Sequence, residues 1–172
     1  STGDGFVAAC AGAEYMTGRE AKSEFNEPDA PDERDNYVMG ITLLFKSYNT
    51  GKPVKFEKPA WAYTYTEEDL KNRGHYAGSQ IWKSKYGIDS GYWWIELGGG
   101  ELDTIRDTEE IRDELLKVLY GVWDHIKNGG DHGAENYVLD WVQFFPAKRE
   151  SRRIIGDYIL TENDLLSSRR FD

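Results

Sequence analysis

The sequence predicts an α+β domain with a mostly antiparallel sheet and inserted helices. Three observations lead there. Strand-like stretches recur at residues 37–46, 80–86, 91–97, 136–145 and 153–160. Residues 107–128 repeat their apolar positions with the helical period instead. The order of these elements lacks the regular strand-helix-strand alternation of a parallel sheet, so antiparallel pairing is expected.

Taken in order, residues 4–13 are small and apolar enough for a short helix packed close to a neighbour, with Gly12 limiting its length. Residues 19–36 turn acidic and contain Pro28 and Pro31, which favours an irregular connector. In residues 37–46, Tyr37, Met39, Ile41, Leu43 and Phe45 share one face while Val38, Thr42 and Leu44 share the other. Both faces are therefore expected to be covered. A turn at Asn49-Thr50-Gly51 leads to an aromatic run at 61–65 and then to Thr66, which can cap a short helix with an acidic first turn.

Residues 80–86 and 91–97 read as two further strands. In the second, Tyr92, Trp94 and Glu96 alternate with Trp93, Ile95 and Leu97, and Gly98-Gly99-Gly100 ends it. Within the long helix Ile111, Leu115, Val118, Leu119, Val122 and Ile126 form one apolar stripe, with Asp113, Glu114, Lys117, Asp124 and Lys127 opposite. Asp107 or Thr108 supplies its cap, and Gly129-Gly130 its left-handed stop. Residues 136–145 alternate as a strand until Pro146, and 153–160 make another before Thr161 opens a last helix.

A chain of 172 residues with 39% hydrophobic content has the size of one domain with a single core. Its 21 basic against 31 acidic side chains give a formal charge of −10, which argues against nucleic acid or anionic lipid as a partner. The single cysteine, Cys10, makes no disulfide within the chain and reads as a packing residue rather than a nucleophile. No apolar run approaches the roughly 20 residues that span a bilayer. The chain starts inside a motif, without methionine, and ends on Arg169-Arg170-Phe171-Asp172, so it is expected to be a piece of a longer protein.

Two clusters stand out chemically. In Ser1-Thr2-Gly3-Asp4-Gly5 two glycines permit close backbone approach, and the carboxylate between them accepts hydrogen bonds from hydroxyls. The same residues equally make a tight turn into a helix, whose first amides face an anion. Gly3 to Ala8 also satisfies Gly-x-Gly-x-x-Gly/Ala, but without the preceding strand that the dinucleotide fingerprint needs it is rejected as one. The other cluster, Lys148-Arg149-Glu150-Ser151-Arg152-Arg153, gathers four positive charges in an acidic chain. It is either an internal ion-pair network, a solvated loop, or a site for a planar anion.

His75, His125 and His132 show no metal-ligand spacing, so no metal site is expected. His132, between Asp131 and Gly133, reads first as turn chemistry and second as a proton-transfer candidate. Asp124, Asp131 and Glu135 supply carboxylate pairs of the kind any acidic domain contains. Six tryptophans, eleven tyrosines and seven phenylalanines sustain a different reading, an independent aromatic-rich carbohydrate-binding module. A scaffold domain with no site is the third.

Three stretches together resemble the FAD-dependent oxidoreductases of the glutathione-reductase-like superfamily. Residues 1–15, Ser-Thr-Gly-Asp-Gly-Phe-Val-Ala-Ala-Cys-Ala-Gly-Ala-Glu-Tyr, are similar to the segment that closes that family's FAD-binding fold. Residues 92–100, Tyr-Trp-Trp-Ile-Glu-Leu-Gly-Gly-Gly, lead through Asp103-Thr-Ile-Arg-Asp107 into the long helix. Residues 146–161 resemble the family's arginine-rich strand and the turn after it.

The resemblance implies that Thr2, Gly3, Asp4 and Gly5 contact FAD, with Asp4 on the ribityl hydroxyls, and that Arg149, Arg152 and Arg153 stabilise an anion or the reduced flavin. It implies three segments: the end of the FAD-binding fold at 1–15, an acidic connector at 16–36, and a substrate or cap domain of a two-domain flavoprotein at 37–172. The partners implied are a small-molecule substrate and the remainder of a parent flavoprotein. Hydride transfer is expected of the full-length protein, and the isolated chain is expected to be inactive and to purify without FAD.

Overall fold

The computed structural model describes residues 3–72 and 90–171. Thr2, His75, the predicted strand at 80–86 and the side chain of Trp93 lie outside what is described. In chain order the elements are α1 (Phe6–Cys10), β1 (Tyr15–Met16), α2 (Lys22–Phe25), β2 (Ile41–Asn49), α3 (Glu67–Leu70), β3 (Ser90–Leu97), α4 (Thr108–Asn128), β4 (Tyr137–Val142), β5 (Arg153–Ile154) and α5 (Glu162–Leu166). Helices and antiparallel strands are mixed, so the chain is α+β as the sequence predicts. The residues fall into two compact units: Ser1–Ile41 with Gly98–Asp107 and Lys148–Asp172, and Thr42–Leu97 with Thr108–Ala147.

The second unit is a three-stranded sheet, ordered β3-β2-β4, with the long helix α4. β2 and β4 run antiparallel, from Phe45 opposite Val142 to Asn49 opposite Tyr137, with a bulge between Lys46 and Ser47. β4 stops at Val142, three residues before the end the alternation predicts. There the side chain of Gln143 enters the ladder: its Oε1 accepts the Leu44 amide at 3.1 Å while the Gln143 backbone amide donates to the Leu44 carbonyl at 2.9 Å.

Leu43 and Phe45 of β2 are fully buried, as are Ile111, Leu115 and Leu119 of α4. The helix stripe then turns to Trp123, four residues after Leu119, while the predicted core residues Val118 and Val122 are only half-buried. Trp123 meets Phe45 and Phe56 edge to face, at centroid distances of 6.3 and 6.4 Å. Gly121 lets the Tyr63 carbonyl come close, since a Cβ there would stand 2.4 Å from that oxygen.

Neither Gly129 nor Gly130 is left-handed; the positive φ of this connection falls on Gly133, at 68°. Glycine is needed at 129 for another reason. A Cβ there would lie 2.5 Å from His125 Nδ1. Lys127 fixes the same connection by donating to the carbonyls of Ala134, Glu135 and Tyr137 at 2.7, 2.9 and 2.8 Å, and burial holds its ammonium below the usual lysine pKa.

In the first unit β1 pairs with β5 through only two residue pairs, Tyr15 with Ile154 and Met16 with Arg153. The strand predicted over 153–160 is cut to Arg153–Ile154 because its partner is that short. Beyond it the Ile155 amide still reaches the Glu14 carbonyl, at 2.9 Å, before the chain bends at Asp157 and Tyr158.

The predicted strand at 37–46 likewise begins only at Ile41. Its first residues bond elsewhere: the Val38 amide donates to Gly99 O at 2.7 Å and the Met39 amide to Glu150 O at 3.1 Å. Tyr37 and Met39 consequently stay exposed rather than joining the buried face. Helix α1 buries none of its residues, and Cys10 is exposed, which corrects the packing role predicted for both. A helix of five residues presents too few side chains on one face to make an apolar stripe. The connector is irregular as predicted, apart from α2 and a bridge between Arg19 and Asp35.

Candidate functional site

The Gly-Asp turn and the arginine cluster, almost the whole chain length apart, meet in the first unit. Gly5 has φ 69°, open to glycine but strained for other residues. A Cβ on it would come within 2.6 Å of the Arg152 carbonyl. The close approach that Gly5 permits is thus between two stretches of this chain. Ser151 Oγ and Arg152 Nη1 both donate to the Asp4 carbonyl, each at 3.3 Å.

The Asp4 side chain faces inward as well. Its Oδ1 accepts the Phe6 amide at 3.2 Å, closing an Asx-type turn into α1, and Oδ2 lies 3.7 Å from Arg152 Nη1. Asp4 and Ser151 are buried, and the Arg152 guanidinium sits within 5.8 Å of the ring centroids of both Phe6 and Tyr15.

The three arginines have distinct surroundings. Arg152 is the one at Asp4. Arg153 is gripped by two carboxylates, Glu20 at 2.5 Å and Glu150 at 3.1 Å, which makes it part of an internal ion-pair network. Arg149 is exposed. Gly3 is also exposed and passes the Lys148 carbonyl, 3.4 Å from where its Cβ would be.

A cleft of about 300 Å³ opens in the same unit, lined by Thr17, Asn36, Val38, Gly100, Glu101, Asp103, Ile105 and Arg106. Asp103 shapes one wall: its Oδ1 accepts the amides of Ile105 at 2.8 Å and Arg106 at 3.2 Å. The first unit therefore gathers parts of all three stretches that carry the sequence resemblance. Nothing in the charge or hydropathy pattern located this cleft, because its walls come from the connector and from the glycine run after β3.

In the second unit His125 and His132, which spacing along the chain had not linked, have ring centroids 4.8 Å apart, and Glu67 joins them. The Gly129-Gly130 pair between the two histidines is the sequence signal for the reversal that brings them together; nothing in the sequence pointed to Glu67. Asp124 is used locally, accepting the Asn128 amide nitrogen at 2.7 Å. Of the aromatics proposed for sugar stacking, Trp61, Trp94 and Trp141 are exposed, but Trp61 meets Tyr120 edge to face, at 71°, and forms no flat two-ring platform with it.

Comparison with curated proteins and with solved structures gave no match. The family model described as FAD dependent oxidoreductase matches residues 1–172, the entire sequence, and the chain accordingly belongs to the FAD-dependent oxidoreductase family.

Proposed function

We propose that this chain is the substrate-domain portion of an FAD-dependent oxidoreductase in which hydride passes between a small-molecule substrate and the flavin. The observation that carries the reading is the junction of Asp4 with Ser151 and Arg152. It joins the Gly-Asp turn to the arginine strand, the two segments that the resemblance puts beside the cofactor.

The donor set fits FAD. A carboxylate accepts from ribityl hydroxyls, and guanidinium and backbone N–H groups donate to hydroxyl or phosphate oxygens. Asp4 with the flanking Thr2, Gly3 and Gly5 would hold the cofactor, and FAD when bound supplies the hydride acceptor or donor. Arg152 positions the Asp4 turn through its contacts with the Asp4 carbonyl and carboxylate. Arg153 is held by Glu20 and Glu150 in an internal network, and the exposed Arg149 is assigned to an anionic group of substrate or flavin, as the resemblance implies. The cleft beside Asp103 and Arg106 offers a polar pocket for a small substrate.

Arg152 fills the open side of Gly5, so Gly5 would serve the cofactor through the turn it allows at Asp4 rather than by close backbone approach. The exposed apolar residues of the first unit fit a part that is covered in the working enzyme. Phe6, Val7, Leu160, Leu165, Leu166 and Phe171 are between 51% and 73% exposed.

The test is made in the polypeptide carrying its flanking coding sequence. Asp4→Ala should weaken FAD binding about tenfold or more, the loss of roughly 1.4 kcal/mol. Arg149→Gln should keep the flavin but slow its reduction by substrate. Unchanged FAD affinity in the Asp4 variant together with unchanged reduction in the Arg149 variant would overturn the reading.

A further inference from the structure

Three local features of the second unit converge on one point. Thr66 caps α3, its Oγ1 accepting the Asp69 amide at 3.3 Å, and so fixes Glu67 as the first helical residue. The last turn of α4 carries His125. After the glycine pair, the connection held by Lys127 returns with His132.

The result is that Glu67 Oε1 lies 2.5 Å from His132 Nε2 and 3.4 Å from His125 Nε2. One ligand atom from each of the three residues falls within 4.8 Å of the others. The imidazoles are buried, at 3% and 4% exposure, whereas the Glu67 side chain is 54% exposed, so the cluster has dry walls and one side open to solvent.

The tautomer of His125 follows from its other nitrogen. Nδ1 lies 3.1 Å from the Tyr65 carbonyl oxygen, which only accepts, so Nδ1 carries a proton and donates. In neutral imidazole Nε2 then presents a lone pair, and it presents it toward a carboxylate oxygen. A lone pair and a carboxylate repel unless a cation, either a proton or a metal ion, stands between them. A backbone carbonyl holding the far nitrogen is also how metal-binding histidines are oriented.

The distances are near those of coordination. In a tetrahedral site with bonds of about 2.0–2.1 Å, ligand atoms stand about 3.3 Å apart. The His125–Glu67 separation already has that value, the His132–Glu67 separation needs less than about 1 Å of adjustment, and the two imidazole nitrogens, within 4.8 Å of each other, close by up to about 1.5 Å.

We propose that Glu67, His125 and His132 form a binding site for a divalent transition metal ion, with a fourth position open to water on the exposed side of Glu67. Two imidazoles and a carboxylate suit Zn²⁺ and its neighbours in the first row and discriminate against Mg²⁺, which prefers oxygen ligands. The site is independent of the flavin reading, since it uses other residues in the other unit.

The chain, produced without a histidine tag and stripped with chelator, is titrated with Zn²⁺ calorimetrically and with Co²⁺ by visible absorption. The expected result is about one equivalent of Zn²⁺ bound and Co²⁺ bands typical of a four- or five-coordinate nitrogen-oxygen site. Glu67→Gln changes an exposed side chain and should weaken Zn²⁺ binding at least about tenfold with an unchanged far-UV circular dichroism spectrum. Mg²⁺ should not compete. Absence of Zn²⁺ binding in the parent chain would overturn the proposal in favour of a proton-bridged triad; so would parental affinity in the Glu67 variant.

Discussion

The two compact units hold themselves together by different means. In the second, burial is mainly apolar: Leu43, Phe45, Ile111, Leu115, Leu119, Trp123 and Ile126 are at most 1% exposed, beside the buried polar side chains of Ser47, His125 and His132. In the first, Ile41 is the apolar residue buried among those described, and the other buried side chains there are Asp4, Thr104, Ser151 and Asp164. Hydrophobic burial is non-directional and tolerates modest change of shape, whereas polar burial requires each partner in place. The first unit is accordingly rich in fixed turns, with left-handed glycines at 5, 12, 18, 98 and 99 and short backbone contacts between distant segments. That is the economy of a surface built to hold polar groups at set positions, and the Gly-Asp turn sits in it.

The largest effect should come from the apolar core. Trp123→Ala removes the side chain that meets both Phe45 and Phe56, and it should cost about 3–5 kcal/mol in urea unfolding. If that substitution left the unfolding midpoint nearly unchanged, the apolar account of the second unit would be wrong.

Next come the glycines, which separate conformational strain from close contact. Gly99 has φ 90°, and a Cβ on it would stand 2.2 Å from the Val38 carbonyl. Gly99→Ala should therefore cost about 2–3 kcal/mol, strain and displacement together. Gly51 has φ 75° with nothing within 4 Å, so Gly51→Ala should cost only the conformational part, about 1–2 kcal/mol. Equal costs for the two would mean that the Val38–Gly99 contact yields easily and that the first unit is softer than its turns imply.

The same contrast explains what could be read from the sequence. The second unit was legible in Ile111, Leu115, Leu119 and Ile126, because a long helix announces its buried face by period alone. Thr66 and Thr161 were legible as caps because capping is decided within four residues. Residues 37–40 and 155–160 alternate as strands do, but Val38, Met39 and Ile155 bond to Gly99, Glu150 and Glu14, partners set by tertiary structure. Asp4 and the arginines could be named separately, but their meeting spans nearly the whole chain and leaves no local mark. The Glu67–His125–His132 convergence was hidden for the same reason.

The smallest effect concerns the end of the first unit and turns on pH. Asp164 is enclosed by its neighbours. Its Oδ2 accepts from the Tyr158 hydroxyl at 2.7 Å, the Thr161 amide at 3.0 Å and the Thr161 hydroxyl at 2.9 Å, while Arg169 stands 3.0 Å from Oδ1. These donors, the Tyr158 hydroxyl foremost, hold its pKa well below the usual carboxylate range. The same bond pushes the Tyr158 hydroxyl up. A carboxyl group depressed on folding contributes stability above its unfolded pKa of about 3.9 and loses it as pH falls toward the folded value. Amide exchange at Thr161 and Arg169 should consequently quicken as pH drops below about 4, relative to the intrinsic rate. In Asp164→Asn it should already be fast at neutral pH and show no further acid dependence of that kind. Protection that persists unchanged in the variant would assign the turn's stability to the backbone bonds of α5, and the polar burial of the first unit would then be a consequence of its shape rather than a cause.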